Sequence, residues 1–333
     1  MAVSTKTRIL IWSRAANRCC ICRSALFMND VSTDNPSLVG DIAHIVAESP
    51  DGPRGDSPLT ADQRDLYANL ILLSKAHHKL VDDNHNAFAV AKLQEIKAAH
   101  EHWVCEALQG FDAAKQRSIE IYANYIQEWG ERAALDRWEG WTSYLLGSGQ
   151  PQLAKEDTVR IAALQDWLFN RVWPDHFPSL RTAFENFRRV LSDLHQVFLD
   201  GVDDHDRDRL YTAKRYHRAR TDEDRARAER MFSFQVDLVF DLTLELTRAA
   251  NYVCDRVREL LDPNFRMLEG VVIATSGPYM IFNWKKHRAE YRDGERTEMP
   301  YAGLREFMVV RKDRDYHWGE GTSIDDPDCR CAE

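Results

Sequence analysis

Two textures of hydrophobic patterning divide the chain. Up to Gly110, short apolar runs are separated by polar, Pro- and Gly-rich stretches; beyond it, helical periodicity dominates until a β-like pattern returns near the C-terminus. In the first part, Ile9, Leu10, Trp12 and Ala16 recur at helical spacing among Arg8, Arg14 and Arg18, so a helix is expected over 6–18. It runs into a turn at Cys19-Cys20-Ile21-Cys22. Residues 29–37, rich in Asp, Asn, Ser and Pro, read as loop. Segments 39–46 and 70–73 are strand candidates. Between them lie a structured loop over 49–60, with its three Pro and two Gly, and a short helix over 61–67. A helix opens at 75–81, and another spans 89–108.

The second part reads as helix over most of 113–262, with breaks at 147–152, Pro174, Pro178 and near Gly201. Its longest segment, 222–261, has Thr221 or Asp222 as N-cap and ends before Pro263. Phe232, Val236, Val239, Leu242, Leu246, Ala249, Val253, Val257 and Leu260 form one apolar stripe along it, which suits a core helix or a dimer seam. Near the end, 271–274 and 279–284 flank Ser276-Gly277-Pro278, the pattern of a hairpin, and 304–310 reads as a third strand. The expected fold class is α+β: a small domain over 1–110, then a mainly helical domain over 111–333 ending in a small antiparallel β element.

Composition narrows the class. With 44% hydrophobic and 29% charged residues, the chain is an ordinary globular protein. No apolar run reaches the ~20 residues that span a bilayer, and residues 1–10 lack a secretory pattern, so a cytoplasmic location without membrane association is expected. A net charge of −9 argues against a protein that coats DNA through its whole surface, more than against a nuclease that grips a short stretch. Any nucleic-acid contact must come from a local basic patch helped by a cation. The seven cysteines are unevenly spaced, and three fall within residues 19–22, which suits a metal knuckle better than a disulfide framework.

The first domain carries the chemistry. Cutting a phosphodiester needs a base for water, a cation for the developing charge, and a group that holds the base in place. His44 stands near the end of the first strand candidate, and Asn69 opens the second. His78 and Asp82, four apart on the following helix, share a face and can hold one ion. His44 is thus the expected base, Asn69 its orienting partner, and His78 with Asp82 the metal clamp. Arg54, in the glycine-rich loop, suits either a phosphate contact or hydrogen bonds that fix the loop; Lys79 is a second candidate for phosphate.

Ile11-Trp12-Ser13-Arg14 and Arg18-Cys19-Cys20-Ile21-Cys22, then IAHIVAESPDGPRGD from Ile42, then NLILLSKAHHKLVD from Asn69, together resemble bacterial HNH (ββα-metal) endonucleases, including restriction enzymes and effectors of anti-phage defence. The resemblance covers about residues 8–105. It implies His44 as catalytic base, Asn69 as its positioner, His78 as metal ligand, a Mg²⁺ (or Mn²⁺) cofactor and DNA as substrate. Two departures stand out. Many such proteins have Asp directly before the first His, where this chain has Ala43; the carboxylate ligand must then be Asp82 or, less favoured, Asp41. The family often has Cys where Ser74 stands, completing a structural Zn²⁺ site. Here Cys19, Cys22 and His77 remain, and Cys20 cannot replace the fourth ligand because adjacent side chains point apart.

His100 and His102 read as packing or solvated residues. The charged segment 205–230, with Arg207, Arg209, Lys214, Arg215, Arg218 and Arg220, suits a DNA track or, since acids are interleaved, a solvated face. The leading expectation is a metal-dependent DNA endonuclease, acting as a homodimer and regulated through its second domain by an activating ligand or partner. The alternatives are an inactive HNH-derived module that binds nucleic acid, and a helical interaction protein with the HNH part accessory.

Overall fold

The computed structural model describes residues 3–28, 37–107, 113–147, 149–203, 206–279 and 283–327. The loop expected over 29–37 falls, except for Ser37, outside these residues. The chain is α+β, and its contacts divide it into unit 1, Met1–Glu128, and unit 2, Trp129–Glu333.

Unit 1 opens with α1 (Thr5–Arg14), capped by the Ser4 hydroxyl accepting from Thr7 N and burying Ile9, Ile11 and Trp12. The helix ends before the expected residue 18, because Ala16 and Asn17 adopt left-handed φ of 51° and 56°. Two short strands follow, β1 (Phe27–Met28) and β2 (Ser37–Leu38), paired antiparallel. Next come β3 (Gly40–His44), α2 (Ala61–Arg64), β4 (Leu70–Ser74), α3 (Lys75–Asp83), α4 (Val90–Ala107) and α5 (Ala113–Arg132), within which unit 1 ends. Strands β3 and β4 pair antiparallel from Gly40↔Ser74 to His44↔Leu70, and β4 leads directly into α3. Leu70, Ile71, Leu72 and Leu73 are all buried, so β4 is enclosed on both faces and carries no polar alternation. With Trp12, Leu26, Ala43, Ile45, Val81 and Leu93 they form the core of the unit. Ser74 caps α3 by accepting from His77 N.

Unit 2 contains α6 (Trp138–Leu145), β5 (Gln152–Ala154), α7 (Lys155–Phe169), α8 (Pro178–Asp200), β6 (Val202–Asp203), β7 (Arg209–Thr212), α9 (Asp222–Leu260), β8 (Ala274–Tyr279), β9 (Asn283–His287) and α10 (Leu304–Val310). The predicted start of α9 is observed: Thr221 accepts from Asp224 N. Every residue from 238 to 254 is buried, polar ones included, so over this stretch the apolar stripe belongs to the core of unit 2, while Phe232 and Leu260 at its ends are half-buried. The enclosed polar groups have partners, as burial demands. Asp241 accepts from the backbone of Trp318 and Gly319 and pairs with Arg311; Glu245 pairs with Arg314; Asn251 holds the carbonyls of Val272 and Ala289.

Three features of unit 2 differ from the sequence reading. A three-stranded antiparallel sheet, ordered β5-β7-β6, interrupts the helices. Ser276-Gly277-Pro278 lies inside β8 instead of forming a turn. The β8–β9 register shifts between Ser276 and Tyr279, and Gly277, with φ of 128°, sits where a Cβ would meet Asn283 O at 2.8 Å. The third strand is α10: Arg305 and Glu306 break any alternation, and Phe307 is its one buried residue. No helix among the described residues is long and apolar enough to cross a membrane.

Candidate functional site

His44 is the last residue of β3, and its Nε2 lies 2.9 Å from Asp65 Oδ1. Both side chains are mostly covered. Asp65 follows α2, a single turn held by a reciprocal capping box between Thr60 and Gln63. Asn69 is buried, and its amide does not bond the His44 ring. Its oxygen accepts from Val46 N, and its nitrogen donates to Val46 O and Arg64 O. It therefore clips the backbone beyond His44 to the backbone before Asp65. The expected contact between Asn69 and the imidazole is replaced by this indirect arrangement. The same segment is fastened by Tyr67, whose hydroxyl donates to Glu101 and whose ring lies 3.6 Å from Lys97 Nζ.

Two arginines organise the loop between His44 and Asn69. Arg54, with its side chain 5% exposed, adopts φ of 59° and donates to Ile45 O at 2.7 Å, Val81 O at 3.0 Å and Asp82 Oδ1 at 2.8 Å. Of the two readings of Arg54, these bonds are those of a loop-fixing residue, with its donors committed within the protein. Arg64 is also buried and donates to the carbonyls of Ala47, Gly55, Ser57 and Leu59. Gly55 must be glycine, since a Cβ there would meet Pro50 O at 2.3 Å. The loop is thus a frame rather than a free arm.

On α3, His78 stands between two carboxylates. Its Nε2 is 3.4 Å from Asp82 Oδ2, and its Nδ1 is 3.7 Å from Asp41 Oδ2. All three side chains are about one-third to two-fifths exposed, open to water and ligand. The carboxylates face different ring nitrogens, so either one can share an ion with the nitrogen nearest to it. Arg54 bonds both Ile45, next to His44, and Asp82, and so ties the end of β3 to the His78–Asp82 pair. Lys79 is exposed and paired with Asp83 at 2.9 Å, which holds its pKa above the ordinary value.

Cys19, Cys22 and His77 bring their ligand atoms within 4.8 Å of one another, the only such trio of potential ligands among the described residues. This group can hold a metal ion. Cys19 Sγ and His77 Nδ1 are 3.6 Å apart. Bond lengths of ~2.3 Å to sulfur and ~2.0 Å to nitrogen around a tetrahedral zinc ion set such atoms roughly 3.5 Å apart. Ser74 Oγ lies 3.0 Å from the same His77 Nδ1. Cys20 is turned into the core, where burial pushes its thiol up to about 12. Burial also acts to raise the Cys22 thiol, but hydrogen bonds from Ser24 and Cys19 hold it below the ordinary value.

His100 is a packing residue, buried with Nε2 on Ala15 O, and burial lowers its pKa. His102 is exposed and pairs with Glu106. In the charged segment of unit 2, Arg209 lies over the Tyr144 ring and bonds Gln152, and Arg218 pairs with Asp203, while Arg207, Arg215 and Arg220 are exposed. Sequence reasoning missed Asp65 and Arg64. Asp65 stands 21 residues after His44, beyond the recognised motifs, and only its place just before Asn69 hinted at a role. Neither the family models nor the curated proteins searched contain a match to this chain.

Proposed function

We propose that unit 1 is a ββα-metal (HNH) endonuclease module that hydrolyses phosphodiester bonds of DNA with Mg²⁺ or Mn²⁺. One observation carries this reading. His44 ends a strand whose antiparallel partner runs into α3, and Arg54 binds the neighbour of His44 to Asp82, which with His78 offers a carboxylate and an imidazole on one helical face.

The donor set fits the ion. Atoms on adjacent corners of an octahedron with ~2.1 Å bonds lie about 3 Å apart, close to the separation of His78 Nε2 and Asp82 Oδ2. An ion held there would neutralise charge on the scissile phosphate and the leaving oxygen. Asp82 is the better carboxylate ligand: Arg54 fixes one of its oxygens and leaves Oδ2 towards His78. Asp41, 3.7 Å from Nδ1, places its negative charge on the opposite side of the ring, which leaves Nε2 as the nitrogen facing Asp82. His44 takes the proton of the attacking water. Asn69 keeps the two backbone segments around His44 in register. Cys19, Cys22 and His77 would hold a structural Zn²⁺, which would tie the knuckle after α1 to the first turn of α3, one residue before His78.

Cutting both strands calls for two such sites. A homodimer would associate through a surface other than residues 238–254 of α9, which are buried. Unit 2 then regulates the nuclease, as in a defence or restriction effector acting in the cytoplasm. The test is incubation of supercoiled plasmid with the full chain. Conversion to nicked or linear DNA is expected with Mg²⁺ or Mn²⁺, none with EDTA, and none with His44→Ala. Absence of cutting by the wild type with either ion would overturn the reading.

A further inference from the structure

We infer that Asp65 is the positioning residue of His44: its carboxylate accepts the Nε2–H and leaves Nδ1 as the ring nitrogen that takes a proton. The inference deepens the nuclease reading and rests on it for the role of His44, but the contact itself stands on geometry. Nε2 and Oδ1 are 2.9 Å apart, and both side chains are largely shielded from solvent. An ionised carboxylate only accepts hydrogen bonds, so the imidazole must present N–H to it. A neutral ring then carries no hydrogen on Nδ1. No side chain among the described residues bonds Nδ1, so this atom is free to meet a water molecule.

The surroundings hold Asp65 still. The Thr60–Gln63 box precedes it, the Asn69 amide donates to Arg64 O at 2.8 Å, and Tyr67 is pinned by Glu101 and Lys97. The Arg64 side chain, one residue before Asp65, ties four carbonyls of the intervening loop to the same place. This density of fastening around an exchangeable-looking loop residue has an evident use: a carboxylate orients an imidazole only if its own position is fixed. It also redefines the part of Asn69, which serves the base by holding the segment that carries Asp65.

The test reads tautomer and rate separately. Long-range ¹H–¹⁵N spectra of the full chain, labelled at histidine and assigned by loss of one signal in His44→Ala, are expected to show His44 as the Nε2–H tautomer. Asp65→Asn, of nearly equal volume, offers an amide N–H to Nε2 and should switch the ring to Nδ1–H. On plasmid DNA its kcat should fall roughly 10²- to 10⁴-fold, as expected for a wrong tautomer, with KM and the Mg²⁺ half-saturation unchanged. Asp65→Glu should restore part of the rate. A wild-type His44 carrying Nδ1–H, or an Asp65→Asn protein with unaltered tautomer and full rate, would overturn the inference. If the tautomer switches as described but the wild type cuts no DNA, the positioning role stands and the nuclease reading fails.

Discussion

Arg54 and Asp82 form a salt bridge of 2.8 Å, and the other guanidinium nitrogens hold the carbonyls of Ile45 and Val81. This pair joins the strand that carries His44 to the helix that carries His78. It accounts for a glycine- and proline-rich loop that is ordered without a core of its own, because a buried arginine satisfies backbone acceptors from both elements at once.

Replacing Arg54 by Ala strands two carbonyls and loosens Asp82. The expected loss is about 2–4 kcal/mol of unit 1 stability, from leaving buried acceptors without donors, read as a lower thermal midpoint. The salt dependence of DNA binding should not change. Lys79→Ala should behave in the opposite way: stability unaltered, and the slope of log K against log salt reduced by ~1 if Lys79 meets a phosphate. An Arg54→Ala protein of full stability and reduced salt slope would contradict the structural role.

The metal cluster makes a prediction in the direction of gain. Ser74→Cys should complete a tetrahedral set with Cys19, Cys22 and His77 and raise Co²⁺ or Zn²⁺ affinity at least tenfold, about 1.4 kcal/mol. In the metal-free protein the same change removes the hydroxyl cap of α3 and should cost about 1 kcal/mol. Thiolate-to-Co²⁺ absorption titrations and chemical unfolding with and without chelator measure the two effects. Equal Co²⁺ affinity in wild type and variant would contradict the cluster as a metal site.

Much of unit 1 was legible because its chemistry is local in sequence. His44 ends β3, Asn69 closes the 3-10 turn directly before β4, and His78 and Asp82 are one helical turn apart. The Cys19–Cys22 spacing closes by a tight turn. Asp65 was not legible, because its meeting with His44 depends on how the Arg54 and Arg64 side chains fold the loop, which no periodicity encodes. The same limit applied in unit 2. Strands of two to four residues, such as Val202–Asp203 and Arg209–Thr212, are too short to show alternation. Leu304–Val310 has β-favouring residues at its end but follows Gly303 into a helical turn, with Phe307 N bonded to Gly303 O. The N-cap of α9 at Thr221 was readable, since a hydroxyl before three acids is a local signal.

Acid sensitivity should trace in part to His287. It is 1% exposed, with Nε2 on Ser276 Oγ at 2.8 Å and the rings of Tyr316 and Trp318 beside it. Burial first, then the charges of Lys285 and Arg248, push its pKa from 6.5 down to about 4. The unfolded chain takes up a proton that the native ring refuses, so this contribution is complete above about 6.5 and is lost as the pH falls towards about 4. Melting curves across that window should steepen their fall for wild type relative to His287→Gln. Parallel curves would contradict the assignment.

The most direct measurement is single-turnover cleavage of a labelled duplex by wild type and His44→Ala at matched DNA occupancy and saturating Mg²⁺, with the fold of both checked by circular dichroism. A fall of about 10²- to 10⁴-fold in rate, the range of a lost general base, with DNA affinity unchanged, is the expected result. Equal rates in the two proteins would contradict His44 as the base.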